Sequence, residues 1–485
     1  MLLRKAEREI LSWIQSSKTA LLVSGARQVG KTWSIRNCLR AEGCDYLEIN
    51  LIEEPDLIPA LAQCSSVSDL VVMLSAAKNY SFTKGKTILF IDEVQELKEI
   101  VTKIKFWVDE GSFRYVLSGS LLGIELRSVR SAPVGYLSEV EMFPLDFEEF
   151  LSASGVTPET IRYLQTCFDE QKPVEEIVHK KMLQHFQRYL VVGGMPAAVQ
   201  EYVNSGDISK VSTIQRNIIE FYKLDFTRYE EEDKKLKLIA IYNQVPYQLM
   251  KQNRRFNFSD IKKGLRFERL EDSFLWLSAA GVVVPVYNAT EPRVALSQNA
   301  KSSLFKLYAS DVGLLTCQYD NAIRVKILTG DQAVNLGGVY ENAVAQELNT
   351  HGFPMYFYKS HKNGELDFLI EQDFHVVPIE VKSGKDYYVH SAISKAAENP
   401  EYGVETAYIL ANCNVSREGK MLYLPVYMCA FIRDAVQLPI LPPIENKIPA
   451  GFSAADPTEH GFAETQTEFI FPNHTIKKHQ KHKTK

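Results

Sequence analysis

The sequence predicts an α/β protein that begins with a doubly wound, mostly parallel sheet. Short, nearly continuous apolar runs occur in the first 145 residues, and helix-length segments separate them, which is typical of buried parallel strands. A glycine-rich turn follows the first run, and two acidic residues follow the third. The four runs are Thr19–Ser24, Tyr46–Leu51, Thr87–Ile91 and Phe113–Leu117, and a fifth near Val140–Phe143 leads into Pro144.

Size and composition indicate an ordinary globular chain with several domains. It has 485 residues, of which 45% are hydrophobic and 24% charged, enough for about three domains. The net charge of −5 gives no whole-chain argument for nucleic-acid binding, which would need a local basic patch. The seven cysteines are scattered without a CxxC pair, which is typical of reduced thiols. No signal-peptide pattern or long apolar run occurs, so we expect a cytoplasmic protein without a membrane span.

The turn after the first strand has the G-x-x-x-x-G-K-T pattern of a P-loop. The apolar strand before it and the helix that opens at Lys31 are the context that makes this pattern specific. Its glycines let backbone N–H groups point at phosphate oxygens, and the helix N-terminus adds positive potential. We expect Lys31 to reach the β- and γ-phosphates and Thr32 to ligate Mg²⁺. The predicted nucleotide-binding residues are Gly25, Ala26, Arg27, Gln28, Val29, Gly30, Lys31 and Thr32.

Asp92 and Glu93 follow the third apolar run and complete a Walker B pattern. We expect Asp92 to hold Mg²⁺ through water, and Glu93 to position and polarise the attacking water. Ser120, or alternatively Ser118, ends the next strand and would sense the γ-phosphate; a simple turn is the competing interpretation. Lys31, Glu93 and Ser120 are therefore the predicted catalytic residues, and the site is predicted to hydrolyse ATP.

Transition-state charge in such a reaction normally needs an arginine finger. Arg127, Arg130 and Arg228 are candidates by position alone, and the sequence does not rank them.

A second set of charged residues lies near the C-terminus. Asp367 and Glu380 are on adjacent predicted strands, and Lys382 faces the same side of its strand as Glu380. The two carboxylates would share a divalent metal for phosphodiester hydrolysis, with Lys382 beside it and Glu341 completing the acidic set. Ordinary surface charge at strand ends is the competing interpretation. The order helix, three strands, helix and strand predicts a restriction-endonuclease-like α/β domain, although a fold can outlive its chemistry.

The region between these two sites is mainly helical in pattern, with a break at Gly193–Pro196. Its later part ends in a hairpin-like pair, Gly281–Tyr287 and Arg293–Ser297, which predicts a winged-helix unit. A basic run there is interpreted either as DNA phosphate contact or as a solvated helix face with aromatics in the core. The run comprises Lys251, Arg254, Arg255, Lys262, Lys263, Arg266 and Arg269, with Phe256, Phe258 and Phe267 between them.

These patterns predict five regions along the chain. They are a P-loop ATPase domain at 1–145, a helical lid at 146–232, a winged-helix-like region at 233–330, a nuclease-like domain at 331–435 and a disordered tail at 436–485.

The chain resembles the prokaryotic AAA+ family ATPases, related to archaeal-type ATPases, that carry a C-terminal domain similar to PD-(D/E)xK nucleases. The resemblance covers about residues 4–433 and implies a winged-helix module between two α/β domains. Relatives often carry a Gly-Arg pair where this chain has Gly135-Tyr136, which leaves Arg127 and Arg130 as substitutes for the finger. Besides the P-loop, Ile91–Gln95 and the Asp367, Glu380 and Lys382 set, the resemblance rests on Ser118–Ser120, Phe143–Phe150, Gly193–Pro196, Phe305–Leu314 and Tyr340–Asn342.

Three functions are consistent with these features. The first is an ATPase that couples its nucleotide state to the other domains and acts on DNA or a protein. The second is a metal-dependent nuclease regulated by ATP, and the third is a nucleotide-switched binding protein without turnover. The expected ligands are ATP and Mg²⁺, with a second divalent metal at Asp367 and Glu380. The expected partners are DNA, another protein or further copies of the chain.

Overall fold

Five parallel strands near the N-terminus form the first sheet, in the order β2-β3-β4-β1-β5. The first four predicted runs are confirmed as strands, whereas the fifth strand begins at Leu137, three residues before the predicted run, and ends at Glu141. The P-loop strand β1 lies between β4 and β5. The strands are β1 Ala20–Ser24, β2 Tyr46–Asn50, β3 Ile88–Asp92, β4 Arg114–Ser118 and β5 Leu137–Glu141.

This is a computed structural model, and it describes residues 2–120, 135–228, 232–261, 267–331, 336–360 and 363–434. The side chains of residues 227, 228, 232 and 233 are outside that description. These residues belong to one compact unit that spans Met1–Val436. The tail predicted at 436–485 lies outside the described residues.

Helices cover both faces of the first sheet, and this explains why its three central strands, β3, β4 and β1, are buried at nearly every position. Alternate side chains of a strand point to opposite faces. Leu21 and Val23 pack with α1 and α2 on one face, whereas Leu22 packs with α3, α4 and α5 on the other. These helices are α1 Ala6–Ser16, α2 Lys31–Ala41, α3 Leu57–Gln63, α4 Val67–Lys78 and α5 Glu99–Glu110.

The middle region is helical, as predicted. The Gly193–Pro196 break is confirmed, because α8 ends at Val192 and α9 begins at Pro196. The helices are α6 Phe147–Ala153, α7 Pro158–Asp169, α8 Glu176–Val192, α9 Pro196–Ser205, α10 Ile208–Arg228, α11 Glu232–Met250, α12 Glu271–Ala279, α13 Val312–Cys317 and α14 Asn321–Thr329.

The predicted hairpin exists, but its second strand was placed wrongly. Strand β6 covers Val283–Ala289, and its partner β7 covers Ala300–Ala309, not Arg293–Ser297. A short 3₁₀ turn, Leu296–Asn299, precedes β7. The first half of β7 is polar and largely exposed while its second half is buried, so its start carries no apolar signal.

The hairpin is the edge of a second, mixed sheet of eight strands, in the order β12-β13-β11-β10-β9-β8-β6-β7. Strand β6 pairs in parallel with β8, so the sheet extends across the boundary predicted between residues 330 and 331. The predicted hairpin is therefore not a separate wing, while the domain boundaries themselves stay a prediction. The other strands are β8 Tyr356–Ser360, β9 Gly364–Gln372, β10 His375–Val381, β11 Ala407–Ala411, β12 Ser416–Glu418 and β13 Met421–Pro425.

Helix α15, Gly337–Thr350, is buried on all sides through Leu348. It packs against β7, β10 and the 3₁₀ segment Val426–Phe431, which replaces the end of the last predicted strand. Helix α16 covers Ser391–Glu398 and packs against β9 and β10. Across the described part of the chain, no helix combines the length and apolarity needed to cross a membrane.

Candidate functional site

The P-loop connects β1 to α2, and its glycines meet two separate demands. Gly25 has φ 131°, and a Cβ there would lie 2.1 Å from the carbonyl oxygen of Met142, just beyond β5. Gly30 has φ 97° and immediately precedes α2. Both conformations are costly for any residue with a side chain. The loop can therefore keep this conformation only with glycine at these two positions.

Lys31 is buried at the first position of α2. Its Nζ donates to the carbonyl oxygens of Gly25, at 2.9 Å, and Ala26, at 2.8 Å. Burial lowers the pKa of Lys31 to about 8, although the neighbouring carboxylates Glu93 and Asp92 act in the opposite direction. The ammonium group therefore lies inside the loop, where an anionic ligand would replace two neutral acceptors.

The Asp92 carboxylate accepts hydrogen bonds from side chains at the start of α2 and at the ends of β2 and β4. Thr32 donates its hydroxyl to Asp92 at 2.8 Å, and Asn50 donates its amide at 3.4 Å. The Ser118 hydroxyl donates to the other carboxylate oxygen. Burial raises the pKa of Asp92, and the bonds from Ser118 and Thr32 oppose that rise. Thr32 and Asp92 thus present converging oxygen donors, which are the ligands that Mg²⁺ prefers, and they fit the predicted ion.

Glu93 lies directly after β3 in a left-handed conformation, with φ 58° and ψ 45°. Such a conformation is uncommon for a residue other than glycine and is often held at functional sites. The Gln95 side chain donates to the Glu93 carboxylate. The backbone turn thus places Glu93 beside Asp92, while its predicted role toward water stays a prediction.

The two serines after β4 have different partners. Ser118 is bonded to Asp92, whereas the Ser120 hydroxyl accepts from Arg27 Nε at 3.4 Å. The predicted γ-phosphate sensor, Ser120, therefore lies beside the P-loop. Ser118, the alternative, instead orients the Walker B carboxylate.

Arg27 contacts the middle region, a role that the sequence did not reveal. Its Nη1 lies 2.9 Å from Asp225 of α10, and its carbonyl oxygen accepts from the Tyr222 hydroxyl at 3.2 Å. Its Nη2 is buried and has no hydrogen-bond partner among the described residues. The contact joins residues almost two hundred positions apart in sequence, so no local pattern could indicate it.

The three arginine-finger candidates cannot be placed. Arg127 and Arg130 lie outside the described residues, and Arg228 is the last residue of α10 with a side chain outside the description.

A cavity of about 220 Å³ opens beside the P-loop. Gly30 and Trp33 line it from the loop and α2, Pro196 from α9, and Arg4 from the N-terminal segment. Arg4 is buried and donates to the carbonyl oxygen of Val29 at 2.7 Å. Half of the Trp33 surface, 47%, is exposed, so a flat ring is available at the rim.

The predicted C-terminal acids do come together, at the meeting of α15, β9 and β10. Asp367 and Glu380 are mostly buried and Glu341 is fully buried. The backbone N–H of Val381 donates to Asp367 at 3.0 Å, and Lys382 Nζ lies 2.7 Å from Glu380. The surface-charge interpretation of this set is therefore wrong.

Two cations that the sequence analysis did not assign to this site lie among these acids. Lys306 of β7 is 1% exposed, and its Nζ lies 3.1 Å from Glu365, 3.5 Å from Asp367 and 3.6 Å from Glu341. Arg254 forms an ion pair with Glu341. Among the described residues, no group of three or more His, Cys, Asp or Glu side chains is arranged to hold a metal ion. Because Lys306 and Arg254 already pair with these carboxylates, the set does not fit the second divalent metal expected from sequence.

Burial raises the pKa of Glu341 to about 7 and of Glu380 to about 8, with Asp367 adding to both rises. The cations oppose these rises but do not cancel them. The pKa of Asp367 is lowered, because Lys306 and Arg254 outweigh its own burial.

Two of the four described residues of the middle region's basic run pair with acids. Arg254 points into the acid cluster, and Lys251 pairs with Asp260 at 2.6 Å. Phe256, Phe258 and Phe267 pack with one another and with Phe274 and Phe305. These aromatics form core, as the competing interpretation had it. Lys262, Lys263 and Arg266 lie outside the described residues.

Comparison with known families divides the chain into three matched regions. A family model described as an AAA domain matches residues 17–151. Two models described as domains of unknown function, DUF8612 and DUF4143, match residues 183–322 and 336–427. No curated protein sequence matches the chain.

Among the solved structures that are similar to this chain, two share low sequence identity with it over about two thirds of its length. The Walker-type ATPase of Pyrococcus abyssi is 15% identical over 66% of this chain and 96% of its own, with a TM-score of 0.41. The ORC1 protein of Aeropyrum pernix, solved in complex with DNA, is 14% identical over 67% of this chain and 91% of its own, with a TM-score of 0.28. The assignment therefore rests on the family model, the five-stranded parallel sheet and the P-loop geometry. The chain carries an AAA-type P-loop ATPase domain, followed by two regions that match domains of unknown function.

Proposed function

We propose that this protein binds ATP with Mg²⁺ and hydrolyses its γ-phosphate. The observation that carries the proposal is the meeting of Lys31, Thr32, Asp92 and Glu93 around one loop, with Thr32 bonded to Asp92 at 2.8 Å. Phosphoryl transfer requires mainly positioning and electrostatic stabilisation, and these four side chains are the types that supply both.

Each residue has a distinct task in this proposal. The loop N–H groups and Lys31 hold the phosphates, since Lys31 exchanges its two carbonyl contacts for charged oxygens. Mg²⁺ at Thr32 and Asp92 would neutralise charge on the triphosphate when bound. Glu93 orients the attacking water and accepts its hydrogen bond. Ser118 holds Asp92 in one orientation, and Ser120 senses the γ-phosphate together with Arg27.

We further propose that the cavity beside Gly30 takes the nucleobase. Trp33 offers a flat, half-exposed ring and Pro196 an apolar surface from the helical region. Arg4 fixes the wall of the cavity through its bond to the loop carbonyl at Val29. Because α9 contributes Pro196, nucleotide bound here would contact both the ATPase domain and the middle region.

ATP turnover by the full chain and by Lys31→Ala tests the proposal directly. We expect turnover to fall by at least about a hundredfold in Lys31→Ala, because the phosphates lose their buried cation. Lys18→Ala is the matched control, since Lys18 is exposed and precedes β1, whereas the loop follows that strand. Equal turnover in the wild type and Lys31→Ala would reject the assignment.

Glu93→Gln separates an ATPase from a nucleotide-switched binding protein without turnover. The amide keeps the size of the side chain and removes its ability to act on water. For an ATPase we expect ATP affinity within about threefold of wild type and turnover reduced by about a hundredfold or more. A wild-type protein that binds ATP with no turnover above that of Glu93→Gln would support the switch instead.

Measuring ATP turnover with and without added DNA tests whether DNA is a partner of the protein. DNA, a protein partner and self-association all stay proposals, and the inward-facing Arg254 removes one of the basic side chains that favoured DNA. Stimulation of turnover by duplex or single-stranded DNA would favour a nucleic-acid role. An unchanged rate would favour a protein partner or self-association.

A further inference from the structure

A buried lysine lies at the centre of the C-terminal acid cluster. Lys306 Nζ is within 3.6 Å of carboxylate oxygens from Glu341, Glu365 and Asp367. An ammonium group has three N–H donors, and here each can face a different carboxylate. Lys306 therefore occupies the position from which a single cation contacts all three acids.

The remaining charges of the cluster are also matched. Arg254 pairs with Glu341, Lys382 with Glu380 at 2.7 Å, and Lys359 with Glu365 at 2.6 Å. Counting Lys306, four basic groups face the four acids Glu341, Glu365, Asp367 and Glu380, so cations and acids are equal in number. The Tyr308 hydroxyl donates to Glu341 at 2.8 Å and satisfies a further oxygen.

This arrangement lacks the oxygen-ligand geometry and the excess negative charge that a divalent metal needs. Mg²⁺ is held at about 2.0–2.1 Å by oxygen ligands in near-octahedral geometry, and it keeps several waters. Excess negative charge from carboxylates favours its binding, whereas Lys306 and Arg254 have already neutralised these acids. Their ion pairs cannot be given up without leaving the two cations unpaired inside the protein, which is strongly unfavourable.

We propose that the ammonium group of Lys306 takes the place of the divalent metal in this acid cluster, so the C-terminal sheet holds an internal cation and does not perform metal-dependent phosphodiester cleavage. The ion pairs instead join two segments of the middle region, Arg254 and β7, to α15 and β9 of the C-terminal region. The inference is independent of ATP hydrolysis at the P-loop.

Mn²⁺ titration of the nucleotide-free, full-length chain by calorimetry tests the inference. Comparison of wild type with Asp367→Asn isolates the cluster, because any binding at Asp92 is common to both proteins. We expect indistinguishable isotherms. Loss of one Mn²⁺ equivalent in Asp367→Asn would overturn the inference. Mg²⁺-dependent cleavage of supercoiled plasmid by wild type that Asp367→Asn abolishes would overturn it as well.

Lys306→Met provides the converse measurement. The substitution keeps an unbranched side chain of similar length but removes the charge, which leaves three acids around a vacated cation position. We expect a lower unfolding temperature, partly restored by Mn²⁺, and Mn²⁺ affinity at least tenfold above wild type. Lys359→Met is the matched control, since Lys359 also pairs with Glu365 but is 36% exposed. A folded Lys306→Met protein without this Mn²⁺ response contradicts the inference. If Lys306→Met does not fold, the Asp367→Asn comparison decides alone.

Discussion

At the scale of single residues, burial decides the chemistry of the charged groups. Lys31, Asp92, Lys306 and Glu341 are all buried, and each has partners. Those of Lys31 belong to its own loop, whereas distant segments supply those of the other three. Removing a charge from water is costly unless it is paired and hydrogen-bonded. The P-loop and the C-terminal acid cluster offset this cost in different ways. Lys31 is bonded to neutral carbonyls that a ligand can displace, whereas Lys306 is bonded to carboxylates that hold it.

Nucleotide binding should weaken at alkaline pH because of Lys31. Burial lowers its pKa to about 8 in the free protein, so the charged form is lost as the pH rises through that value. We expect the Kd for ATP to rise up to about tenfold per pH unit above pH 8, which fluorescence titration between pH 7 and 9.5 measures. In Lys31→Arg the side chain stays charged, so its Kd should be nearly independent of pH. Parallel profiles for the two proteins would contradict the prediction.

Glu347 should make the protein less stable as the pH rises. It accepts from the Phe147 N–H at 2.9 Å and the Tyr189 hydroxyl at 3.0 Å, and its other carboxylate oxygen is buried without a hydrogen-bond partner in the described structure. Burial, with Asp146 nearby, raises its pKa to about 8. The folded state thus keeps a proton that the unfolded chain releases above about pH 4.5. Stability contributed by this proton is complete at low pH and is lost as the pH approaches 8.

The measurement is thermal unfolding of wild type and Glu347→Gln between pH 5 and 9. The amide mimics the protonated acid, so the variant should lack this loss, which has a slope of at most about 1.4 kcal/mol per pH unit. The exposed Glu398→Gln serves as control. A Glu347→Gln curve parallel to wild type would show that Glu347 is ionised throughout.

At the scale of elements, several sequence signatures without derivable chemistry prove to be packing devices. Asp146 and Glu149 form a capping box at the start of α6. Asp311 accepts from the backbone N–H of Gly194 at 2.6 Å and of Leu314 at 2.8 Å, so it joins the α8–α9 turn to α13. The Asn342 side chain bonds both backbone groups of Ala309 and thereby joins α15 to β7.

Gly194→Ala tests the α8–α9 turn. A Cβ on Gly194 would lie 2.0 Å from the carbonyl oxygen of Leu145 and 2.7 Å from its nitrogen, so two backbone segments would have to separate. We expect a loss of about 3 kcal/mol in unfolding free energy, measured by denaturant titration. Gly384→Ala should be near neutral, since nothing lies within 4 Å of its Cβ position. Similar midpoints for the two variants would contradict the close approach.

At the scale of the whole molecule, α10 connects the nucleotide site to the middle region. Asp225 and Tyr222 bind the side chain and carbonyl oxygen of Arg27, and Arg27 in turn contacts Ser120. Gly281, between α12 and β6, also lies against Ala26, where a Cβ would come within 3.3 Å. The P-loop is thus in contact with the middle region on two sides.

Asp225→Asn should break the contact between Arg27 and α10 while leaving nucleotide binding nearly intact. Without the ion pair, Arg27 loses its anchor and Ser120 loses a fixed neighbour, so we expect kcat to fall about tenfold while ATP affinity stays within about threefold. Glu220→Gln is the matched control, because Glu220 lies on the same helix and pairs with Lys223 of that helix. Equal kinetics for both variants would remove Arg27 from the hydrolytic site.

The sequence by itself determined the first sheet, the P-loop and the Walker B acids. Buried parallel strands are continuous apolar runs, and a phosphate loop needs glycine and lysine at fixed spacing, so both are local patterns. It also indicated that Asp367, Glu380 and Glu341 form a set. Only the tertiary structure decided which cations stand opposite them. Arg27–Asp225 and Lys306–Asp367 join residues far apart in the chain, and spacing cannot encode such pairs because folding alone sets the distance between them. The position of β7 was predicted wrongly for the same reason, because the polar first half of this strand is recognisable only through its pairing with β6.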